Sequence, residues 1–340
     1  MSIEGGPEFR VTLDGTDDTF NVLQGEDILS AARRAGYWLP FECGWGSCAR
    51  CKATVVDGEV ESLFPEAPAR NERDLRRNRV LLCQSTPLSD VVVKPLSVSN
   101  TPPEERRTAD YLGTLTNINE LGPSIAEFAF TLDKPAVFLP GQYAILHIAP
   151  GLERCYSMSN LPGTTEVTFI IKRYEGHIGS TKMFELNIGD EIPMELPFGD
   201  MWLRDVDRPV IMIAGGTGIS AILALAKSID GHSIWTDRHV HVLYGAGSRE
   251  ELVCWDELEA ITEHAHLHGA LVQAHDDWSG HQGFVTTALT ALLNAEFASE
   301  HDLLNAEVYL AGPPVMADAV QEALKEHGIQ LDRIHVDSFG

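Results

Sequence analysis

The stretch CGWGSCARC, residues 43–51, places three cysteines within nine positions and separates them mostly with small residues. Four residues separate Cys43 from Cys48, two separate Cys48 from Cys51, and a fourth cysteine, Cys83, follows after 31 more. Two sulfide-bridged irons need four thiolates, and one short loop can wrap three of these positions, so a distant residue must supply the last. The spacing therefore predicts a [2Fe–2S] centre with these four cysteines as its ligands.

A zinc site, or a set of buried thiols that lie near each other by chance, is the alternative that four cysteines leave open. Structural zinc sites usually combine two short ligand pairs, whereas this chain has a single C-x2-C pair with one cysteine before it and one distant cysteine. The pattern favours the iron–sulfur cluster. Cys155 and Cys254 have no cysteine neighbours in sequence, and we expect both to be small buried hydrophobic residues.

The sequence around the cysteine loop is typical of a small β-rich domain. Residues 9–15 and 19–25 alternate apolar and polar side chains around a turn, which predicts a β-hairpin. Residues 26–36 predict a helix that stops at Gly36, directly before the loop. With the four-cysteine motif, roughly residues 8–96 resemble plant-type ferredoxins, and the resemblance implies a β-grasp ferredoxin domain over residues 1–98.

Charge and composition exclude several classes of partner. The 340 residues include 25 basic and 50 acidic side chains, a net charge of −25, which repels phosphate backbones and anionic headgroups. The N-terminus lacks the cationic and apolar regions of a signal peptide, and no apolar run is long enough to span a bilayer. We therefore predict a cytoplasmic protein that binds neither nucleic acid nor membrane.

A polar segment interrupted by prolines, residues 99–111, predicts a domain boundary. After it come six short alternating segments with glycine or proline punctuation, which predict an antiparallel β-barrel over residues 106–205. Its segments RCYSM, residues 154–158, and KRYEGHIGSTKMF, residues 172–184, resemble the flavin-binding motifs of the ferredoxin–NADP reductase superfamily.

That resemblance implies an FAD site. Arg154 would pair with the pyrophosphate, Tyr156 would pack on the isoalloxazine, and Ser157 would form a hydrogen bond near flavin N5. Tyr156 and Ser157 are thus the candidate catalytic residues. The remaining candidates that would line the cofactor are Met158, Lys172, Gly179, Ser180 and Thr181. Which of Ser180 and Thr181 contacts phosphate is left open by the spacing.

From residue 206 to 340 strands alternate with helices, which predicts a parallel α/β domain. The segment VIMIAGGTGIS contains a glycine-rich turn between a strand and a helix, a position that favours phosphate. Tight turns also need glycine, so the turn alone does not decide the ligand. Two later segments end at strand termini and match nucleotide-binding positions of the same superfamily. The candidates are Gly215, Gly216, Thr217, Gly218, Tyr244, Gly245, Gly312, Pro313, Pro314 and Met316.

The resemblance has three particular features in this chain. Ala311 stands where the family usually has a cysteine beside the nicotinamide, and Gly247 stands where it often has an arginine, with Arg249 two residues later. Phe339 is a candidate aromatic shield over the flavin, and a core position at the end of the last strand is the alternative reading.

Residues 206–340 carry 6 basic and 20 acidic side chains, and this net negative charge would repel the 2′-phosphate of NADPH. We therefore expect NADH rather than NADPH.

The order of the three modules predicts electron transfer from NADH through FAD to the [2Fe–2S] cluster. The chain resembles the reductase component of a bacterial multicomponent oxygenase, which implies an aromatic-ring dioxygenase or di-iron monooxygenase component, or an intermediate ferredoxin, as acceptor. A deoxysugar-biosynthesis reductase of the same architecture and a non-enzymatic redox sensor or adaptor are the alternatives. We expect a monomer when the protein is free. The basic stretch 69–79 is read either as a solvated helix face or as a docking surface beside the cluster.

Overall fold

The structure is a computed structural model that describes residues 7–41, 46, 49–96, 108–150, 152–229, 240–261, 265–296 and 303–338. It divides into two compact units, Met1–Ala109 and Asp110–Gly340. Among the described residues, no helix combines the length and the apolar composition that crossing a bilayer requires.

The first unit is built on a five-stranded sheet. The predicted hairpin is present as β1 (Glu8–Leu13) and β2 (Thr19–Leu23), which pair antiparallel. The following helix α1 (Ile28–Arg34) begins at Asp27, whose carboxylate accepts a hydrogen bond from the Ser30 amide. The unit continues with β3 (Lys52–Asp57), β4 (Val60–Ser62), α2 (Glu72–Arg76), β5 (Arg79–Leu81), β6 (Ser85–Pro87) and β7 (Val91–Pro95). The sheet order is β2-β1-β7-β3-β5, and β4 pairs separately with β6.

The second unit opens with six strands that form an antiparallel sheet, as the punctuation of the sequence predicts. They are β8 (Ala109–Gly122), β9 (Ile125–Leu132), β10 (Tyr143–Ala149), β11 (Leu152–Ser157), β12 (Glu166–Lys172) and β13 (Glu191–Phe198). Their order is β11-β10-β13-β8-β9-β12. The short helix α3 (Ile178–Met183) lies between β12 and β13 in the chain.

A six-stranded parallel sheet completes the second unit. Its elements are β14 (Val210–Gly215), α4 (Ile219–Ile229), β15 (Val240–Ala246), α5 (Trp255–Ile261), β16 (His266–Leu271), β17 (His281–Gln282), α6 (Val285–Glu296), β18 (Glu307–Gly312), α7 (Pro314–Glu326) and β19 (Ile334–Ser338). The order β17-β16-β15-β14-β18-β19 places β15 and β14 at the centre, where both faces are covered by helices. The predicted fold class, a ferredoxin domain with an antiparallel and a parallel module, is confirmed.

Helix α4 connects the two sheets of the second unit. Eight consecutive residues of this helix, from Ile219 to Ala226, are buried. The core around it includes Ile125 and Ile170 of the antiparallel sheet together with Val242 of the parallel sheet. A helix that is apolar on all sides requires cover on all sides, so α4 fixes the antiparallel sheet against the parallel one.

Candidate functional site

Two of the four predicted cluster ligands lie together in the first unit. The Cys51 and Cys83 sulfurs are 3.3 Å apart, and both side chains are buried. Cys83 sits in the 3-10 turn Leu82–Gln84, and the Leu82 amide donates to the Cys51 carbonyl at 3.1 Å. Two adjacent thiols fit the pairwise thiolate ligation that each iron of a [2Fe–2S] cluster needs. Cys43 and Cys48 lie outside the described residues.

The described part of the cysteine loop packs closely against residues 67–69. Gly46 has φ +94°, and a Cβ added there would come within 2.9 Å of the Ala67 Cβ. Its carbonyl accepts a hydrogen bond from the Ala69 amide at 3.0 Å. Glycine is therefore required at position 46 both by backbone conformation and by space.

The arginine and glycine of the two flavin-motif segments are in contact. Arg154 is exposed on β11, and a Cβ at Gly179 of α3 would meet the Arg154 Nε at 2.6 Å. Its Nη1 donates to the Glu153 carbonyl. An exposed guanidinium with further free donor directions fits a diphosphate oxygen, so these residues suit the FAD pyrophosphate.

Tyr156 and Met158 differ in exposure although both belong to the RCYSM segment. Tyr156 is half-buried with its ring centroid 6.4 Å from that of Phe169, and burial raises the pKa of its phenol, which stays neutral. Met158 is fully buried, and its amide donates to the Gln142 carbonyl at 3.1 Å. The Tyr156 ring can therefore pack on the isoalloxazine, whereas the Met158 side chain packs in the core beneath the strand.

The structure distinguishes Ser180 from Thr181. The Ser180 hydroxyl accepts a hydrogen bond from the Tyr174 amide at 3.1 Å and donates to the His177 carbonyl at 3.3 Å. It thereby closes the turn that precedes α3. The Thr181 side chain is partly exposed. This division of roles favours Thr181 as the hydroxyl that contacts phosphate.

Ser157 lies where three elements of the second unit meet. Its hydroxyl donates to a carboxylate oxygen of Asp337 on β19, and its carbonyl accepts from the Ser220 hydroxyl on α4 at 2.6 Å. Burial raises the pKa of Asp337 to about 6, and the hydrogen bond from Ser157 opposes this rise. The candidate catalytic serine is thus fixed by one residue from the last strand and one from the helix after the glycine-rich turn.

The glycine-rich turn packs directly on the end of β18. A Cβ at Gly215 would come within 2.1 Å of the Met316 sulfur, and a Cβ at Gly218 would come within 2.1 Å of the Ala311 carbonyl oxygen. Gly216 differs from both, since it has φ +54° and open space at its Cβ position. The first two glycines allow close packing, and Gly216 is placed for approach by a phosphate.

Four further candidates lie at or near the same edge of the sheet. Thr217 is partly exposed within the turn, and Gly312 ends β18, where an added Cβ would come within 2.6 Å of the Met316 side chain. Pro313 is exposed, and Pro314 is the first residue of α7, where a proline costs no hydrogen bond. All of them follow the carboxyl ends of parallel strands, the usual ligand position in such sheets.

Tyr244 and Gly245 lie at the end of β15 but face inward. The Tyr244 side chain is fully buried, its hydroxyl donates to the Glu251 carbonyl at 3.4 Å, and burial raises its pKa. A Cβ at Gly245 would come within 2.8 Å of the Val285 Cβ. Because packing fills the side-chain positions of both residues, they can contact a nucleotide through the backbone atoms at the end of β15.

Lys172 forms an ion pair between the two sheets of this unit. Its ammonium lies 2.6 Å from a carboxylate oxygen of Glu251, in the 3-10 turn Arg249–Glu251 after β15, and 5.6 Å from the Tyr174 ring centroid. Lys172 thus belongs to the same region as the other candidates. Phe339 lies outside the described residues.

Sequence reasoning missed three residues of this region: Asp337, Ser220 and Glu251. Asp337 is a buried carboxylate in β19. A charged residue at a position where the alternation pattern expects an apolar one could have revealed it. Ser220 and Glu251 carry no local signal, because their roles depend on contacts with Ser157 and Lys172, both more than 60 positions earlier in the chain.

Three family models match the chain in the predicted order. They are a 2Fe-2S iron-sulfur cluster binding domain at residues 11–88, an oxidoreductase FAD-binding domain at 113–202 and an oxidoreductase NAD-binding domain at 212–322. The predicted cofactors, a [2Fe–2S] cluster, FAD and NAD, are confirmed at the level of these domains.

Relatives align with nearly the whole length of this chain. The reductase component of phenol 2-monooxygenase from Pseudomonas sp. (strain CF600) is 34% identical and aligns over 98% of this chain and 96% of its own length. The ferredoxin–NAD(+) reductase component of the alkene monooxygenase system of Xanthobacter autotrophicus is 32% identical over 94% and 98%. A solved structure, the ferredoxin reductase in carbazole 1,9a-dioxygenase, superposes with a TM-score of 0.84 at 28% identity, covering 98% of this chain and 99% of that one. With its cluster thiols, flavin-motif strand and glycine-rich turn in one polypeptide, the chain belongs to the family of reductase components of multicomponent oxygenases.

Proposed function

We propose that this protein takes electrons from NADH and delivers them to the oxygenase component of an aromatic-ring dioxygenase or a di-iron monooxygenase. The protein is an electron-transfer oxidoreductase with FAD, NAD and [2Fe–2S] domains. When bound, FAD would supply hydride chemistry with the nicotinamide, and the cluster would supply single-electron transfer.

The observation that carries this proposal is the position of Ser157. It ends the strand of the flavin motif, and it is bonded to Asp337 of the parallel sheet and to Ser220 of the helix after the glycine-rich turn. Hydride transfer requires the two ligands to be held against each other by one rigid frame. Arg154, Tyr156 and Thr181 would hold FAD, and Gly216 with Gly218 and Pro313 would frame the nicotinamide nucleotide.

The oxygenase as acceptor is supported by the relatives, which are named as components of phenol and alkene monooxygenases and of toluate 1,2-dioxygenase. The test uses this chain as bait to recover the oxygenase from its host, followed by measurement of NADH-dependent oxygen uptake and substrate oxidation by the purified pair. We expect turnover with wild-type protein and none with Cys83→Ser. An oxygenase that turns over with dithionite but not with NADH and this protein would refute the proposal.

We also propose NADH as the preferred donor. The Ser248 hydroxyl donates to the Glu250 carboxylate at 2.6 Å, and this bond lowers the pKa of Glu250, so a fixed negative charge follows β15. The Arg249 guanidinium lies 5.5 Å from the Trp278 ring centroid. A 2′-phosphate would meet that carboxylate, so we expect kcat/KM to favour NADH by about tenfold or more, equivalent to about 1.4 kcal/mol. Glu250→Gln should lower the ratio of kcat/KM for NADH to kcat/KM for NADPH. A preference for NADPH in the wild type would contradict the proposal.

The domain limits 1–98, 106–205 and 206–340 remain part of this proposal, and each range contains one matched family model. Limited proteolysis tests the first limit, with cleavage expected between residues 99 and 105. Light scattering of the free protein tests the expected monomer.

A further inference from the structure

One surface of the first unit is basic although the chain as a whole is acidic. We call it the arginine surface and define it by Arg70, Arg73, Arg76 and Arg77. Arg73, Arg76 and Arg77 occupy positions i, i+3 and i+4 along α2 and its C-cap, so they share one exposed side of the helix.

The acidic side chain at the centre of α2 is turned inward. Asp74 is buried, and its carboxylate lies 2.6 Å from the Lys52 ammonium and 3.8 Å from the Arg79 guanidinium. Asp74 is therefore ion-paired with Lys52 and Arg79 inside the unit. Of the acidic residues in α2, this leaves Glu72 exposed among the outward arginines.

The outward arginines are not committed to internal contacts. Within the described ranges, Arg73, Arg76 and Arg77 form no ion pair and no side-chain hydrogen bond. Surface arginine side chains that form no ion pair contribute little to the stability of the fold. The clustering of these three arginines therefore needs another explanation.

The arginine surface lies beside the cluster ligands. Helix α2 leads through β5 into the turn that holds Cys83. The Ala69 amide binds the Gly46 carbonyl of the cysteine loop, and the Leu63 amide binds the Gln84 carbonyl at 2.9 Å. Residues 63–70 thus run between the two segments that carry Cys51 and Cys83.

Two large apolar side chains of the same stretch of chain are also exposed. Leu75 of α2 is 52% exposed, and Phe64 is 36% exposed. Protein interfaces characteristically combine arginines with large apolar anchors. A solvated helix face, the plainer reading of this segment, does not require a leucine there.

We propose that the arginine surface is the docking site for the acceptor protein, and that it recognises an acidic, partly apolar face of that partner. The inference rests on the proposed function, because it assumes that the cluster passes electrons to a separate protein. Charge complementarity beside the cluster accelerates encounter and selects orientations in which the two redox centres face each other.

The test compares two double charge reversals in the full holoprotein. Arg73→Glu with Arg76→Glu alters the arginine surface, and Arg10→Glu with Lys94→Glu makes the same charge change on β1 and β7, separated by β3 from β5 at the other end of the sheet. NADH-driven reduction is measured with cytochrome b5 as an acidic protein acceptor, cytochrome c as a basic one and ferricyanide as a small one. Iron content and circular dichroism verify that both variants are folded and loaded.

We expect the arginine-surface variant to reduce cytochrome b5 at least about tenfold more slowly at low ionic strength, with the difference shrinking as salt screens the charges. Cytochrome c and ferricyanide rates should not fall, and the control variant should stay within about twofold of wild type for cytochrome b5. Equal losses in both variants, or no loss in either, would overturn the proposal. Slower reduction of the cluster itself by NADH would also overturn it, since the charges would then serve the internal step.

The same measurements separate this inference from the proposed function. If wild-type protein reduces cytochrome b5 but supports no oxygenase, the proposed function fails and the docking result still stands. If wild-type protein supports the oxygenase and the arginine-surface variant supports it equally well at low salt, only the docking inference fails.

Discussion

The Ser157 hydroxyl donates a hydrogen bond to the Asp337 carboxylate, and the two residues lie 180 positions apart in the chain. Ser157 ends β11 of the antiparallel sheet, and Asp337 belongs to β19 at the edge of the parallel sheet. A carboxylate buried at 5% exposure with this neutral partner is costly to ionise, which raises its pKa to about 6.

This raised pKa predicts how stability depends on pH. Below about pH 4 Asp337 is protonated in both folded and unfolded chains. Between about pH 4 and pH 6 the folded protein keeps a proton that the unfolded chain has lost, so the free energy of unfolding falls as pH rises, by up to about 3 kcal/mol from this residue. Asp337→Asn should remove this loss. The difference in Tm between the variant and wild type, measured by flavin fluorescence, should therefore shift in favour of the variant as the pH rises from about 4 to about 6.

Asp332→Asn is the matched control, because Asp332 is an exposed aspartate in the turn just before β19. Its Tm difference from wild type should stay constant across the same pH range. Parallel pH curves for wild type and Asp337→Asn would contradict the assigned origin of the shift.

The glycine-rich turn predicts losses of different size for two nearby substitutions. Gly218→Ala would place a Cβ within 2.1 Å of the Ala311 backbone oxygen, so the turn must move away from β18. We expect a loss of more than about 2 kcal/mol in stability and a large rise in KM for NADH. Gly216→Ala meets no atom within 4 Å and carries only the cost of a left-handed residue, about 1–2 kcal/mol. Thermal melting and NADH kinetics of the two variants give the comparison, and equal melting temperatures would contradict it.

Much of this arrangement is readable from sequence because periodicity and spacing act locally. The alternation in residues 9–25, the six punctuated strands and the strand–turn–helix after residue 209 are local patterns, and each forms the predicted element. The motif residues Arg154 and Gly179 were also identified from sequence, and the fold brings them into contact.

The remaining contacts depend on tertiary packing. No pattern within IHVDSFG indicates that Asp337 bonds to Ser157, since that bond requires both sheets and α4 to be in place. Likewise, Gly215 and Gly218 read as phosphate-loop glycines, but their Cβ positions are filled by Met316 and Ala311. Packing and ligand approach both select glycine, so sequence alone does not separate the two causes.

The Cys51–Cys83 pair predicts that cluster delivery and flavin chemistry can be separated by one substitution. Cys83→Ser removes a buried thiol 3.3 Å from Cys51 in the first unit, whereas the matched FAD-binding and NAD-binding domains belong to the second unit. Ferricyanide reduction by NADH should remain within about twofold of wild type, while reduction of a protein acceptor should fall by about a hundredfold or more. Both rates are read in the same stopped-flow assay. Loss of both together would show that the units do not work as separable modules.

The left-handed glycine of the cysteine loop gives a final prediction, about assembly of the cluster. Gly46→Ala combines an unfavourable φ of +94° with a Cβ only 2.9 Å from that of Ala67, whereas Gly15→Ala has φ +85° and open space. Both substitutions carry the same backbone cost of about 1–2 kcal/mol, so any further effect of the first comes from displacement of the loop. Iron and acid-labile sulfide per chain should fall at least about twofold in Gly46→Ala and stay at the wild-type level in Gly15→Ala. Equal cluster content in the two variants would mean that the contact between residues 46 and 67 does not shape the ligand loop.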